Sequence, residues 1–276
     1  MHPFVKWAGG KTQLLNKIHE LMPTEYHHYY EPFIGGGALL FSVGPKEFTI
    51  NDFNSELIQA YECFTSEDNF EKLKNKLNYH QVAHSEEHYY EVREMDKNAD
   101  FLSLPISERA ARMIYLNKSC FNGLYRVNSK GFFNVPSGKK KKVVCYEEDN
   151  FSEIAHFFQT SNFKIMNGDF EDAVKDVQER DFVYFDPPYD TWEDKNSFTS
   201  YAKNPFGKEE QKRLADVFRR LSEKGAYVML SNHNTEYIRE LYKGFNIHVV
   251  EAKRMINSKA DGRGNVEEVI ITNYEK

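Results

Sequence analysis

Length, composition and charge set the first limits on this chain. Its 276 residues are 40% hydrophobic and 15% aromatic, enough for one large domain, or one domain with a sizeable insertion, around a real core. No apolar run reaches membrane-spanning length, the N-terminus lacks a signal-peptide pattern, and the cysteines form no metal-like motif, so we expect a soluble cytoplasmic protein with free thiols and no bound metal. The net charge of -6 argues weakly against a nucleic-acid partner.

The first part of the chain predicts half of a parallel α/β sheet. The predicted elements are a short helix closing at 18–21, strands at 29–34 and 48–52, and helices starting at 38 and 54. A glycine turn separates the first strand from the helix that follows it. This order of strand, glycine turn, helix and strand is typical of a Rossmann-like sheet.

The pattern changes over residues 66–162. Charged helical stretches lead into a turn-rich region, with Asn-Gly at 122–123 and Lys-Gly at 130–131, which predicts a β-hairpin or loop. Between Arg109 and Tyr146 there is no Asp or Glu, whereas Lys and Arg recur, so this segment suits phosphate contacts. A solvated loop is the ordinary alternative.

The α/β pattern returns after this segment. Strands are predicted near 163–166, 181–185, 226–230 and 266–274. We therefore expect a catalytic and cofactor-binding domain formed by residues 1–65 and 163–276. An inserted, mainly helical module at 66–162 carries the hairpin.

The segment Asp186–Tyr189 is the strongest chemical signal. It follows a buried apolar strand, so a carboxylate stands at a strand end, and two prolines fix the backbone direction before an aromatic ring. A carboxylate, backbone carbonyls and a flat ring together suit a planar base that carries an amino group. An ordinary Asp-Pro turn with a surface tyrosine is the alternative, which these four residues alone favour.

The glycine turn predicts a cofactor that resembles a nucleotide. Glycines at 35–37 let a ligand approach the backbone, but no later glycine admits a pyrophosphate, so the turn suits S-adenosylmethionine better than a dinucleotide. Asp52 ends the second strand and is a candidate acceptor for ribose hydroxyls; a helix N-cap is the alternative, and both roles can coexist. The N-terminal Gly-Gly-Lys does not satisfy the phosphate-loop pattern, so we expect Lys11 to bind a carboxylate such as that of a methionine moiety.

The ordered set of motifs resembles a known family. Phe4–Lys11, Glu31–Ala38, Asn122–Arg126, Phe133–Pro136 and Asp186–Tyr189 occur in the order seen in Dam-type DNA adenine-N6 methyltransferases, which include GATC-modifying enzymes of restriction systems. Asp-Pro-Pro-Tyr alone marks amino methyltransferases in general, whereas the ordered set is much more specific. The resemblance implies an S-adenosylmethionine-dependent Rossmann-like sheet, S-adenosyl-L-homocysteine as product, a double-stranded DNA partner and a flipped target adenine. A monomer acting on the duplex is the simplest expectation.

The resemblance also implies residue roles. The implied catalytic residues are Asp186, Pro187, Pro188 and Tyr189. The cofactor-binding set comprises Trp7, Lys11, Glu31, Phe33, Gly35, Gly37, Asp52, Asp169, Phe170 and Asp186. The DNA-binding set comprises Lys6, Phe121, Asn122, Leu124, Arg126, Asn134, Pro136 and Lys139. Residues 137–142 depart from the usual Gly-Arg-Tyr-Lys pattern of relatives, so the resemblance leaves open the phosphate contacts there and the flanking-sequence preference.

Three other kinds of protein share part of this set of motifs. An amino methyltransferase for cytosine N4, RNA adenine or protein glutamine shares Asp-Pro-Pro-Tyr but does not need the hairpin set. A catalytically silent DNA-binding regulator would tolerate loss of Lys11, Asp52 or Asp186, and all three are present. A nicotinamide oxidoreductase is disfavoured by the glycine spacing.

Overall fold

A mixed β-sheet organises the fold. The computed structural model describes residues 1–7, 14–191, 206–253 and 265–276. The sheet has seven strands in the order β3-β2-β1-β4-β5-β7-β6. They are β1 (Tyr29–Glu31), β2 (Glu47–Asp52), β3 (Asn162–Asn167), β4 (Phe182–Phe185), β5 (Tyr227–His233), β6 (Asn246–Lys253) and β7 (Asn265–Thr272). The predicted α/β class is confirmed.

The strand directions define one functional edge of this sheet. Strand β1 pairs in parallel with β2 and β4, and β4 pairs in parallel with β5, while β7 runs antiparallel to β5 and β6. The carboxyl ends of β1, β2, β4 and β5 therefore lie along the same edge. The strand order reverses between β1 and β4, and ligands of open α/β sheets bind outside the carboxyl ends at such a switch point.

Ten α-helices are found in the described part of the chain. They are α1 (Leu15–Leu21), α2 (Ala38–Val43), α3 (Ser55–Glu62), α4 (Glu67–Val82), α5 (Glu86–Glu94), α6 (Ile106–Ser119), α7 (Glu148–Thr160), α8 (Phe170–Ala173), α9 (Lys208–Glu223) and α10 (Glu236–Leu241). Side-chain oxygens of Asn54, Ser66, Ser85 and Thr235 accept backbone N–H groups and so cap α3, α4, α5 and α10. None of the described helices is long and apolar enough to cross a membrane.

The sequence patterns found most strands but not all of their limits. Strand β1 ends at Glu31, earlier than predicted, because Pro32 has no backbone N–H to continue the ladder. The Ile34 N–H instead donates to the Asn51 carbonyl at 2.9 Å. Strand β6 was not predicted, although it pairs with β7 along its whole length.

The chain forms two compact units, each with its own core. Unit 1 consists of Met1–Gly10, Ile34–Lys46 and Asn51–Gly168, and unit 2 of Lys11–Phe33, Glu47–Ile50 and Asp169–Lys276. In unit 1, Phe4 packs against Tyr61 and Phe64, with ring centroids 5.0 Å apart in each pair. In unit 2, apolar residues of β4, β5 and β7 pack against α9.

Candidate active site

Asp186 stands directly after β4, as predicted, and a buried serine orients it. The Ser231 hydroxyl lies 3.1 Å from Asp186 Oδ1 and 2.8 Å from the Tyr184 hydroxyl. An ionised carboxylate only accepts, so Ser231 donates its single proton to Asp186 and accepts the proton of Tyr184. Burial, followed by the charge of Asp186, holds the pKa of Tyr184 well above its usual range. The carboxylate is thus fixed by a chain of two buried hydroxyls.

The backbone beyond Asp186 is held by a second polar network. The Gln211 side-chain amide donates to the Pro188 carbonyl at 2.8 Å, and Asn232 donates to Gln211 at 3.1 Å. The Asn232 side-chain oxygen accepts from the Asp190 backbone N–H at 2.8 Å, and Thr235 donates to the Asp190 carboxylate at 2.6 Å. Gln211 and Asn232 are fully buried. Buried polar networks that are satisfied in this way rigidify the segment they hold.

Tyr189 follows the two prolines with a half-buried ring. Its ring meets His233 edge to face, with centroids 4.9 Å apart, and its hydroxyl donates to Glu268 at 3.3 Å. Burial is the main reason why its pKa lies well above the usual range, so the phenol is neutral near pH 7. A neutral aromatic ring in a fixed position is suited to stacking on a planar base.

Unit 2 also holds four predicted cofactor residues. Glu31 is buried at the end of β1 and accepts the Tyr29 hydroxyl at 2.6 Å. Phe33 and Phe170 stack with centroids 5.3 Å apart. Asp169 caps α8 and is paired with Arg213, whose guanidinium lies 4.4 Å from the Phe170 ring centroid.

The Asp169 carboxylate is therefore already engaged. Arg213 donates to its two oxygens at 2.9 and 2.6 Å, and this bonding lowers the pKa of Asp169. The Asp169 carboxylate can turn only if both hydrogen bonds to Arg213 break, so the bidentate geometry fixes the orientation of Asp169. A contact between Asp169 and the cofactor adenine remains a prediction, and it would have to coexist with this ion pair.

In unit 1 the glycine turn is shaped by the side chains packed on it. Gly35 and Gly37 have positive φ angles of 47° and 74°. A Cβ on Gly35 would lie 2.9 Å from Trp7 Cδ1, and one on Gly37 would lie 2.6 Å from the Tyr61 hydroxyl oxygen. The sequence argument explained these glycines by close approach of a ligand. The structure gives them a packing reason, because the indole of Trp7 and the phenol of Tyr61 occupy that space.

Asp52 ties this turn to the end of β2. Its Oδ2 accepts the Gly35 N–H at 3.0 Å and its Oδ1 accepts the Asn54 N–H at 2.9 Å. Burial raises the pKa of Asp52, and the backbone hydrogen bonds oppose that rise. The N-cap of α3 is Asn54, so the capping role considered for Asp52 belongs to its neighbour. Each carboxylate oxygen has a second lone pair, which suits a ribose diol.

Two further positions complete the predicted cofactor region. Lys11 lies outside the described residues. Phe53, which the sequence argument did not single out, directly follows Asp52 and is 85% exposed.

The predicted hairpin is present in residues 124–136. Val127 and Phe133 form an antiparallel bridge, and the Asn134 N–H donates to the Arg126 carbonyl at 3.0 Å. The Asn128 side chain accepts from the Lys130 and Phe132 N–H groups and so closes the turn. The hairpin prediction is confirmed.

Most predicted DNA-binding side chains face solvent. Lys6, Phe121, Asn122, Arg126, Pro136 and Lys139 are exposed, and Leu124 and Asn134 are half-buried. The Arg126 Nε donates to the Asn134 side-chain oxygen at 2.7 Å, which holds the guanidinium away from the hairpin turn. Buried Asn117 exchanges hydrogen bonds with the Lys6 backbone, and its amide also donates to the Gly123 carbonyl at 3.1 Å, so it holds these two backbone segments together.

The basic segment is smaller than its composition implied. Arg112 is fully buried on α6, where it pairs with Glu56 at 3.1 Å and Asp96 at 2.7 Å. It also donates to the Val92 and Arg93 carbonyls. Arg112 lies in the segment from Arg109 to Tyr146 that was predicted to contact phosphates. For this residue the prediction was wrong, because carboxylates from outside the segment neutralise its charge.

Lysines form the remaining positive cluster in unit 1. Lys140 donates to the Lys118 carbonyl. Desolvation, with a smaller contribution from the charge of Lys6, lowers the pKa of both Lys118 and Lys140. An anion beside these lysines would favour their charged forms, so the cluster suits a phosphate.

The residues that sequence reasoning missed are mostly buried polar ones. Ser231 and Asn232 end a buried apolar strand, and polar residues at a strand's carboxyl end are a signal that the sequence did contain. Gln211 gave no such signal, since glutamine is ordinary on an amphipathic helix such as α9. Only the folded backbone brings it to Pro188.

Comparison with known proteins gives a consistent result. A family model described as D12 class N6 adenine-specific DNA methyltransferase matches residues 7–256. The chain is 47% identical over 274 residues to the Type II methyltransferase M1.LlaDCHI of Lactococcus lactis subsp. cremoris, covering 99% of this chain and 96% of the relative. It is 42% identical over 288 residues to the Type II methyltransferase M.MjaIII of Methanocaldococcus jannaschii, covering 99% of each. It is 33% identical over 269 residues to the DNA adenine methylase of Escherichia coli K12, covering 97% of this chain and 93% of the relative.

Proposed function

Because the chain belongs to the D12 class N6 adenine-specific DNA methyltransferase family, we propose that it methylates the adenine of GATC in double-stranded DNA, by base flipping and direct in-line transfer. The observation that carries the chemistry is the Asp186 corner, in which Ser231 and Gln211 fix a carboxylate and the backbone beside it. The relatives named Type II methyltransferase favour a role in a restriction-modification system.

The methyl donor is S-adenosylmethionine, which supplies a methyl group already activated on a sulfonium. We assign its ribose to the carboxylate of Asp52 and its adenine to the aromatic side chains Phe33 and Phe170, with Asp169 and Glu31 nearby. Lys11 and Trp7 complete the set. The carboxylate of Asp52 fits this role, because one oxygen accepts from Gly35 at the glycine turn and the other from Asn54 before α3, so both bonds fix its orientation.

The acceptor nitrogen needs help from the protein. The lone pair of the adenine amine is delocalised into the ring, so the amine is a weak nucleophile. Asp186 and the Pro187 carbonyl accept hydrogen bonds from its two N–H groups, which makes the nitrogen more tetrahedral. The proton that the nitrogen loses on methylation leaves by way of Asp186 to solvent. The Pro188 carbonyl accepts from Gln211 and so holds this segment in place. No covalent intermediate is needed, and most of the acceleration comes from alignment of the reacting atoms.

The target base must leave the duplex to reach this corner. Tyr189 then stacks on the flipped ring, a contact worth roughly 1–3 kcal/mol. Arg126 reads a guanine through its O6 and N7 atoms, and Leu124 and Pro136 offer apolar surface to a thymine methyl. Phe121 and Asn122 enter the opened duplex, while Lys6, Asn134 and Lys139 contact the DNA nearby.

The remaining assignments follow from this function. Residues 66–162 act as the target-recognition domain, inserted into a catalytic domain of residues 1–65 and 163–276. The enzyme acts as a monomer in the cytoplasm, where its DNA substrate is found.

One experiment tests the proposal directly. The protein is incubated with labelled S-adenosylmethionine and matched duplexes that contain or lack GATC, and the DNA is digested to nucleosides. The expected result is label in N6-methyladenine from the GATC duplexes alone. Label in cytosine, equal label in both duplexes, or none in either would each refute the proposed specificity.

A pair of variants tests the role of the corner. Asp186→Asn should reduce transfer below detection while S-adenosylhomocysteine binds within about threefold of the wild type. The matched control is Asp216→Asn, which removes a carboxylate charge from the exposed face of α9 in the same unit. Loss of cofactor binding in Asp186→Asn, at a similar size to the loss of transfer, would show that Asp186 has been assigned the wrong role.

A further inference from the structure

One hairpin residue contacts the cofactor region at two points. The ring of Tyr125 stacks on the indole of Trp7, with centroids 5.3 Å apart and an interplanar angle of 29°. Trp7 in turn packs against the glycine turn at Gly35. The hydroxyl of Tyr125 interacts electrostatically with Glu56 and Asn54: it opposes the rise in the pKa of Glu56, and Asn54 opposes the rise in the pKa of Tyr125.

Both contacts connect Tyr125 to residues that we assign to cofactor binding. Asn54 donates its backbone N–H to Asp52, and the same carboxylate accepts the Gly35 N–H. Glu56 is paired with fully buried Arg112, so the hydroxyl end of Tyr125 is anchored on a rigid part of unit 1. Tyr125 therefore reaches the glycine turn through Trp7, and it interacts with Asn54, two residues after the ribose carboxylate of Asp52.

Its position in the hairpin links the same residue to DNA. Tyr125 lies between Leu124 and Arg126, and successive side chains of an extended strand point to opposite faces. Arg126 is exposed on the outer face while Tyr125 is half-buried on the inner one. The ring also contacts buried Phe133 of the opposite strand, at 5.7 Å between centroids. A displacement of the Arg126 backbone by DNA is thus passed to the ring that lies on Trp7.

We propose that Tyr125 is a positioning residue that couples the hairpin to the cofactor pocket, so that DNA and cofactor each strengthen the binding of the other. This inference rests on the proposed function. The coupling is reciprocal, because linked binding equilibria change each other by the same factor. Its physical basis is the Trp7 indole, which the hairpin holds against the glycine turn through the stacked ring.

The test measures S-adenosylhomocysteine affinity by calorimetry with and without a GATC duplex. In the wild type the duplex should tighten this affinity by about fivefold or more, within the usual range for coupled sites. In Tyr125→Leu the ratio should fall to about one, while the affinity for each ligand alone changes by less than about threefold. Tyr79→Leu is the matched control, because this tyrosine is 58% exposed on α4, and its ratio should equal that of the wild type.

Kinetics and fluorescence separate coupling from a general structural effect. Tyr125→Leu should raise the KM for S-adenosylmethionine at saturating duplex and the KM for DNA at saturating cofactor by about fivefold each, while kcat stays within about twofold. The chain has two tryptophans, so Trp192→Phe leaves Trp7 as the sole indole. Its emission should shift when duplex is added without cofactor, and the shift should disappear in the additional presence of Tyr125→Leu.

The outcomes are distinct. A wild-type ratio of one, or an unchanged ratio in Tyr125→Leu, overturns the inference. If that variant does not fold, the Trp7 emission of Trp192→Phe decides: a shift on addition of duplex without cofactor supports the coupling, and no shift overturns it. Failure of the proposed function would appear separately, as a wild-type protein that does not label N6-methyladenine in any duplex.

Discussion

Removal of the Ser231 hydroxyl should separate catalysis from stability at the active-site corner. Ser231 is fully buried, donates to Asp186 and accepts from Tyr184. Ser231→Ala therefore has two consequences. Asp186 loses the bond that orients it, and the Tyr184 hydroxyl loses its acceptor inside the core.

The two consequences have different sizes. A hydrogen bond to a charged group is worth about 1.5–3 kcal/mol, and a tenfold change in rate corresponds to about 1.4 kcal/mol. We expect kcat to fall by about tenfold or more. A buried hydroxyl without a partner costs about 1–3 kcal/mol, which lowers the Tm by roughly 2–10 °C in a protein of this size.

A double substitution tells the two effects apart. Tyr184→Phe removes the orphaned hydroxyl, so Ser231→Ala with Tyr184→Phe should recover most of the lost Tm while kcat remains low. Tyr184→Phe alone leaves the bond between Ser231 and Asp186 intact and should change kcat by less than about threefold. The measurements are thermal unfolding and single-turnover methyl transfer at a temperature well below every Tm. Recovery of kcat together with Tm in the double variant would refute the orienting role of Ser231.

Three further substitutions have defined outcomes. Arg112→Met leaves buried carboxylates unpaired and should cost about 3–5 kcal/mol in urea unfolding. Burial raises the pKa of Glu56 and Arg112 opposes the rise, so in the variant this pKa climbs further, and stability should recover as pH falls through it towards the ordinary value of 4.5. Gly37→Ala places a Cβ 2.6 Å from the Tyr61 hydroxyl oxygen at a φ of 74°. The free energy of unfolding should therefore fall by at least about 1–2 kcal/mol, which a lower Tm would show. Arg126→Ala should relax discrimination at one base pair by about 1–3 kcal/mol in kcat/KM on singly substituted duplexes, whereas equal weakening on all sequences would indicate a phosphate contact.

Local patterns predicted the parts of the site that are local in sequence. A buried strand followed by Asp186 and two prolines is a signal contained in nine residues, and the structure has the strand and the corner where they were expected. The same holds for the hairpin, because Asn128 closes its turn through bonds to residues two and four positions away.

Contacts between distant residues were beyond such patterns. Ser231 lies 45 residues from Asp186, and the bond between Arg112 and Glu56 spans 56 residues. Counting charges along the sequence predicted that Arg112 is exposed, because composition does not distinguish a buried arginine from an exposed one. The glycine turn was placed correctly, but Trp7 and Tyr61, which give it a packing reason, come from other segments of the chain.

The residues assigned to DNA reading and those that hold the catalytic corner differ in burial. This difference affects how such an enzyme can change its target sequence. The assigned reading residues Arg126 and Pro136 are exposed, and exposed side chains away from special backbone positions contribute little to folding. Ser231 and Gln211 are fully buried in satisfied polar networks, where a single replacement leaves a partner without its bond. Substitutions that alter the recognised sequence are therefore compatible with folding, whereas those that alter the chemistry are opposed by stability as well as by activity. Tyr125 lies between the two sets, half-buried and stacked on Trp7, so it should be less variable than Arg126 beside it.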